Sequence, residues 1–241
     1  MRTSIEIQIL IWIINILCGG FFNMTLGQSV LEKTVVDKFN VEKVSLCDAA
    51  QELSRSCGIS ICVEETKTLS ELDKDIQFRA LEKKSTVGIT LSLKNESVEY
   101  ILNKIVKVDR NYKWEFDEST EIVNIHPVNN APLDWTLENI SINEKTFREI
   151  FLLDDLLGLK EQKIAFDTEG GNLSWLDLHV SLNANSITVR KALNQLCKQL
   201  TFKARWELYK KDLENFGIQF ILVFRGYGIF PENNNSKKEM D

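Results

Sequence analysis

The sequence predicts an α+β protein built from two tandem small modules, each ordered about β-α-β-β-α-β-β with two helices packed on small sheets. Three echoes carry this reading. Phe39-Asn-Val-Glu-Lys-Val-Ser-Leu46 reappears as Trp135-Thr-Leu-Glu-Asn-Ile-Ser-Ile142, 96 positions later. Ile89-Thr-Leu-Ser-Leu93 with Ser97-Val98 is answered by Leu178-His-Val-Ser-Leu182 with Ser186-Ile187, and Lys113-Trp-Glu-Phe116 by Arg205-Trp-Glu-Leu208. Segments matched in the same order at nearly constant spacing are the signature of one unit used twice. In each unit, apolar stripes at helical spacing alternate with strands that have one apolar side, and helices laid on sheets bury both.

The chain of 241 residues is 44% hydrophobic and 27% charged, an ordinary globular composition. Its net charge of −6 disfavours nucleic acid, whose phosphates need a basic face. Residues 1–27 read as a signal peptide. Arg2 opens it, Ile9-Leu-Ile-Trp-Ile-Ile14 and Ile16-Leu-Cys18 form its apolar stretch, and Thr25-Leu-Gly27 offers small residues at a cleavage site. The competing reading is an uncleaved membrane tether through residues 9–26, interrupted by Asn15, Gly19, Gly20 and Asn23.

Residues 28–38 read as a polar lead. In the first unit, 35–128, Val41, Val44 and Leu46 mark a strand, and Ala49, Ala50, Leu53 and Cys57 a helix stopped by Gly58. Ile59–Val63 is the next strand; 64–86 is charged and irregular, with Ile76–Ala80 a possible extra strand. After a strand at Ile89–Leu93, Ser97 caps a helix striped by Val98, Ile101, Leu102, Ile105 and Val106. Tyr112–Phe116 and Glu121–Ile125 are strands joined by the turn Asp117–Thr120. The stretch Pro127 through Pro132, containing Asn129-Asn130, reads as the linker, bounded at 129–133 between the units.

The second unit, 134–228, repeats the order. Its first helix lies within Glu144–Leu157, stopped by Gly158, and Lys163–Phe166 is a strand. After the Gly170-Gly171 turn and the strand Leu178–Leu182, Ser186 caps a helix carrying Ile187, Ala192, Leu193, Leu196, Cys197 and Leu200. Strands at Ala204–Leu208 and Gly217–Phe224 close it, and residues 229–241 form a polar tail expected to be disordered.

The strand, the helix with Ala49-Ala50 ending in Cys57-Gly58, the segments Ile89-Thr-Leu-Ser-Leu93 and Asn95-Glu-Ser-Val98, the pair Ile101-Leu102 and the Tyr112-Lys-Trp114 strand together resemble a known family. It is the short N-terminal domain shared by secretins and some TonB-dependent transducers. The likeness spans residues 39–128 and, more weakly, 135–225. It implies a periplasmic module that binds other envelope proteins, with no catalytic residues and no cofactor. No segment of these 241 residues resembles the pore region of secretins or an outer-membrane barrel.

No catalytic constellation appears in the residues. His126 and His179 are the only histidines, and neither has a ligand-spaced neighbour; His179 should face away from the core and His126 should be solvated or locally bonded. Asp154-Asp155 point about 100° apart on a helix and do not converge on one substrate. Cys47, Cys57, Cys62 and Cys197 form no C-x-x-C. Either all four pack as free thiols, or Cys62 is bridged to Cys57 or Cys47. Candidate partner-binding residues are Ile218, Phe220, Leu222 and Phe224 of the apolar terminal strand, with Trp114 and Trp206. For each, burial in the core or between the two units is the competing reading. The functional expectation is an exported, non-catalytic interaction protein whose partners are other envelope proteins. The alternative is a small-ligand-binding protein or enzyme with its site between the units.

Overall fold

The computed structural model describes residues 30–66, 88–153, 155–168, 174–200, 203–213 and 218–227. The signal-peptide reading, the extra strand at Ile76–Ala80, the Gly170-Gly171 turn and the polar tail lie outside these residues. Among the described residues no helix is long and apolar enough to cross a membrane.

The first half contributes β1 (Val35–Val44), α1 (Leu46–Cys57), β2 (Ile61–Glu65), β3 (Ile89–Ser97), α2 (Val98–Val108), β4 (Tyr112–Asp117) and β5 (Ile122–Pro127). The second contributes β6 (Thr136–Thr146), a π-turn at Glu149–Leu153, β7 (Ile164–Thr168), β8 (His179–Thr188), α3 (Val189–Lys198), β9 (Lys203–Leu213) and β10 (Ile218–Tyr227), with a short 3-10 turn at Ser174–Asp177. The fold is α+β. The halves are not separate sheet-and-helix units, however. The strands form one six-stranded sheet ordered β4-β5-β2-β9-β10-β7, flanked by two ribbons, β1-β3 and β6-β8. The parallel pair β2–β9 joins the halves, with Val63 opposite Glu207.

Local chemistry explains the elements. Ser45 caps α1 by accepting from the Asp48 N–H, and its hydroxyl donates to the Asp48 carboxylate. Gly58 ends α1 in the left-handed region at φ 69, its N–H returning to the Ser54 carbonyl. Gly88 at φ 83 lies so close to the β1 bulge that a Cβ would sit 2.8 Å from the Lys43 carbonyl carbon, so only glycine fits. Thr146 and Glu149 form a reciprocal capping box at the start of the π-turn.

Three expectations shift. The opening strand begins at Val35, inside the stretch read as a polar lead, and Leu31 before it is buried. The helix expected within Glu144–Leu157 is a single π-turn, because the Asp155 carboxylate accepts from the N–H groups of Leu159 and Lys160 and so competes with helix continuation. The cap of α3 is Thr188; Ser186 stays on β8, bonded to Glu138.

Two cores result. Ile61, Val63, Val123 and Ile125 turn to one face of the sheet, where they pack with Ala49, Ala50 and Leu53 of α1 and Ile101, Leu102 and Ile105 of α2. Cys62 and Ile122, of opposite parity, join Trp206, Leu208, Leu222 and Phe224 against Leu193 and Leu196 of α3 on the other. The helices of the two halves therefore cover opposite faces. The segment between the halves is part of this packing, with Leu133 fully buried and Ala131 nearly so.

Candidate functional site at the seam between the halves

At the seam, the uncovered side of the first half's strands meets the N-terminal turn of α3. Glu64 is fully buried there, one residue beyond Val63 and of the parity that points away from α1. The Arg190 guanidinium donates to Glu64 through Nε, and its Nη1 lies 2.7 Å from Asp134. The second Glu64 oxygen accepts from the Leu133 N–H at 3.1 Å. Burial pushes the Glu64 carboxyl up, and the Arg190 charge holds part of that rise back. Burial disfavours the Arg190 charge, but Glu64 and Asp134 outweigh it and raise its pKa.

Around this pair lies a cleft of about 620 Å³ between β4 and α3, lined by Glu115, Asp117, Asn124, Arg190, Lys191 and Asn194, among others. Asn194 is fully buried and serves both halves: its carbonyl accepts from the Trp206 indole and its amide donates to Asp117. Burial opposes ionisation of Asp117, yet bonds from Ser119, Asn194 and Thr120 hold its pKa below the usual range. Lys198 donates to the Ser119 carbonyl, a second tie across the seam. Asn124 is 4% exposed, and its Oδ1 has no hydrogen-bond partner among the described residues.

His126 is buried beside the cleft and locally bonded, its Nδ1 3.0 Å from the Pro127 carbonyl. A carbonyl only accepts, so Nδ1 carries the proton and Nε2 faces Glu115 at 3.5 Å with a lone pair. Burial and then the Arg190 charge push the His126 pKa down. A neutral imidazole facing a carboxylate is poorly placed to deliver a proton to a ligand. The arrangement holds the halves together and can accept hydrogen bonds through Asn124. His179 stands exposed on β8.

No protein-family model, curated protein or solved structure matches this chain.

The residues put forward from sequence fall in three environments. Trp206, Leu222 and Phe224 are buried in the second core, where the Phe224 ring packs edge-on at 5.4 Å from Phe147. Phe220 is half-buried against the same core. Trp114 is half-buried on β4 and donates from its indole to Asn103. Ile218 opens β10 opposite Leu213. The four cysteines named above are free thiols, Cys62 and Cys197 buried and Cys47 and Cys57 half-buried. The seam residues Glu64, Arg190 and Asn194 were not singled out from sequence. The available signal was Arg190 and Asn194 lying within an amphipathic helix whose other inward positions are apolar.

Proposed function

We propose that this chain is an exported, non-catalytic interaction protein of the cell envelope, an adaptor or assembly component built from one α+β module used twice. Several pairs of features support the duplication. β1 pairs antiparallel with β3 as β6 does with β8, and the set β4-β5-β2 has the same senses as β9-β10-β7. Each ribbon carries a bulge with a left-handed residue, Lys43 at φ 53 and Glu144 at φ 48. Each of these donates its N–H to a hydroxyl on the paired strand, Thr90 or Ser181. Trp114 is bonded to Asn103 as Trp206 is to Asn194. The resemblance to the short N-terminal domain of secretins and TonB-dependent transducers supplies the envelope setting, and the apolar stretch within residues 1–27 supports export.

The observation that carries the interaction reading is the sheet's geometry. Among the described residues it ends on two strands with unpaired outer edges, β4 and β7. Open edges are where a partner adds a strand. A photo-crosslinking residue placed at Glu115 on β4 or Thr168 on β7, in cells expressing the full chain, should trap a small defined set of polypeptides. Crosslinks that spread over the envelope proteome in proportion to abundance would overturn the reading.

The cleft supports the second reading, a small polar ligand held between β4 and α3. Asn124 gives it an acceptor without a partner among the described residues. A metabolite that raises the melting temperature of the wild type and not of Asn124→Ala would establish it.

A further inference from the structure

We infer that the chain associates head-to-tail with further copies of itself, the β7 edge of one molecule pairing in parallel with the β4 edge of the next. This deepens the interaction reading above and rests on it. The internal joint is the template. Val63 of β2, Ile125 of β5 and Trp114 of β4 lie in one row across the sheet, as do Thr168 of β7, Phe224 of β10 and Trp206 of β9. Row for row, β7 corresponds to β2 and β4 to β9. The chain already pairs a β2 edge with a β9 edge. What remains outside is the other pair of the same two types, one at each end.

The outer edges, unpaired among the described residues, point the groups such a joint needs. The Phe220 N–H donates to the Lys163 carbonyl, so strand alternation turns the backbone groups of Phe166 and Thr168 outward. The Val128 N–H donates to Asn111, which likewise turns those of Trp114 and Phe116 outward. At the internal joint the corresponding Trp206 N–H already faces β2, at 3.4 Å from the Cys62 sulfur.

Charge follows the same pattern. Beside the internal joint Glu207 is buried between Arg205 and Arg225, bonded to each. At the corresponding outer positions Glu115 lies between Lys113 and His126, with the Lys113 and Glu115 side chains about half exposed. The pattern is thus repeated in part, a cation and a carboxylate beside a neutral imidazole, on a strand whose outer edge has no neighbour among the described residues. The counterpart of Arg190 at the outer joint is Glu99, which follows its cap residue Ser97 as Arg190 follows Thr188 near the start of α3. That joint lacks the buried ion pair, so the association is weaker than the internal pairing and reversible. Because the two edges differ, the contact is heterologous and extends into a filament or ring instead of stopping at a dimer.

Two measurements on the purified full chain test this. Sedimentation velocity from about 10 μM to about 1 mM, the range in which a weak contact populates, should give a mass that rises without levelling at the dimer. By the Val63–Glu207 register, Thr168 of one copy faces Glu115 of the next, within disulfide reach. Oxidising an equimolar mixture of Thr168→Cys and Glu115→Cys chains should yield the mixed disulfide, identified by peptide mass, in preference to either symmetric one. If the substitutions prevent folding, amide exchange in the wild type decides: Trp114, Phe116, Phe166 and Thr168 should slow about tenfold or more between the two concentrations. A constant monomer mass with unchanged exchange overturns self-association, and so does a dimer linked only symmetrically. Neither result touches the broader interaction reading, which fails only if the in-cell crosslinks find no defined polypeptide.

Discussion

Glu64 and Arg190, 126 residues apart in the chain, form a buried ion pair that spans the seam between β2 and α3. Neither side chain is more than 9% exposed, so water cannot replace a lost partner. Removing one charge from such a pair costs about 3–5 kcal/mol, because the other is left buried and uncompensated. Arg190→Met should lower the unfolding free energy by that amount in urea titration. The double variant Glu64→Gln with Arg190→Met keeps an acceptor for the Leu133 N–H and buries no charge. It should recover to within about 2 kcal/mol of wild type. Equal losses in the single and double variants would mean that the pair does not hold the seam.

The two tryptophan–asparagine bonds make a matched experiment. Asn194 is fully buried and its loss strands both the Trp206 indole and one bond to Asp117. Asn103 makes the same bond to Trp114 at an exposed site. Asn194→Ala should cost about 2–4 kcal/mol, and Asn103→Ala under about 0.5 kcal/mol, since solvent reaches the bond between Asn103 and the half-buried Trp114 and satisfies the indole N–H. Calorimetry of the two variants reads the difference directly.

The strand and helix order was legible in sequence because periodicity and caps are local. The register between the two halves was not. Residue matching sets Phe39 against Trp135, 96 positions apart, whereas the bulges set Lys43 against Glu144, 101 apart. Likewise Ser97-Val98 corresponds to Thr188-Val189, and Ser186-Ile187 lies two residues short. The Ser186 match is an even slip of two, after which an alternating strand looks alike; the Phe39 match is an odd slip of five, carried by the shared glutamate and serine of the two segments and not by strand alternation. Only the Trp114–Trp206 match stood in the true register, because an indole that needs a specific acceptor cannot slide. The seam was illegible for another reason. Glu64 and Arg190 are ordinary charged residues until β2 and β9 pair, and that contact joins segments more than 140 positions apart.

Cysteine chemistry separates burial from bridging. Cys62 and Cys197 are buried free thiols, and burial pushes both well above the ordinary thiol range. In native protein, iodoacetamide should leave the peptides carrying them unmodified, and both should react within minutes in denaturant. Reductant should not change the mobility of either peptide. A pre-existing disulfide on Cys62 would show as a mass two units low and would contradict the free-thiol geometry.

His126 gives the molecule a defined acid sensitivity. Its folded pKa lies below the unfolded value of 6.5, first because of burial and then because of the Arg190 and Lys113 charges, which Glu115 only partly offsets. Between those two values the unfolded chain binds a proton that the folded chain does not. Stability through this group is therefore complete above 6.5 and is lost as pH falls through 6.5 toward the folded value. Glu64 and Glu65, raised by burial, act in the opposite sense, since they take up protons more readily in the folded state as pH falls. The measurement is thus a difference. Unfolding free energies of wild type and His126→Asn, taken from pH 7.5 to 5, should diverge below 6.5, the wild type falling more steeply. Parallel curves would mean that the imidazole takes up its proton in place, Nε2 then donating to the Glu115 carboxylate it already faces, without straining the seam.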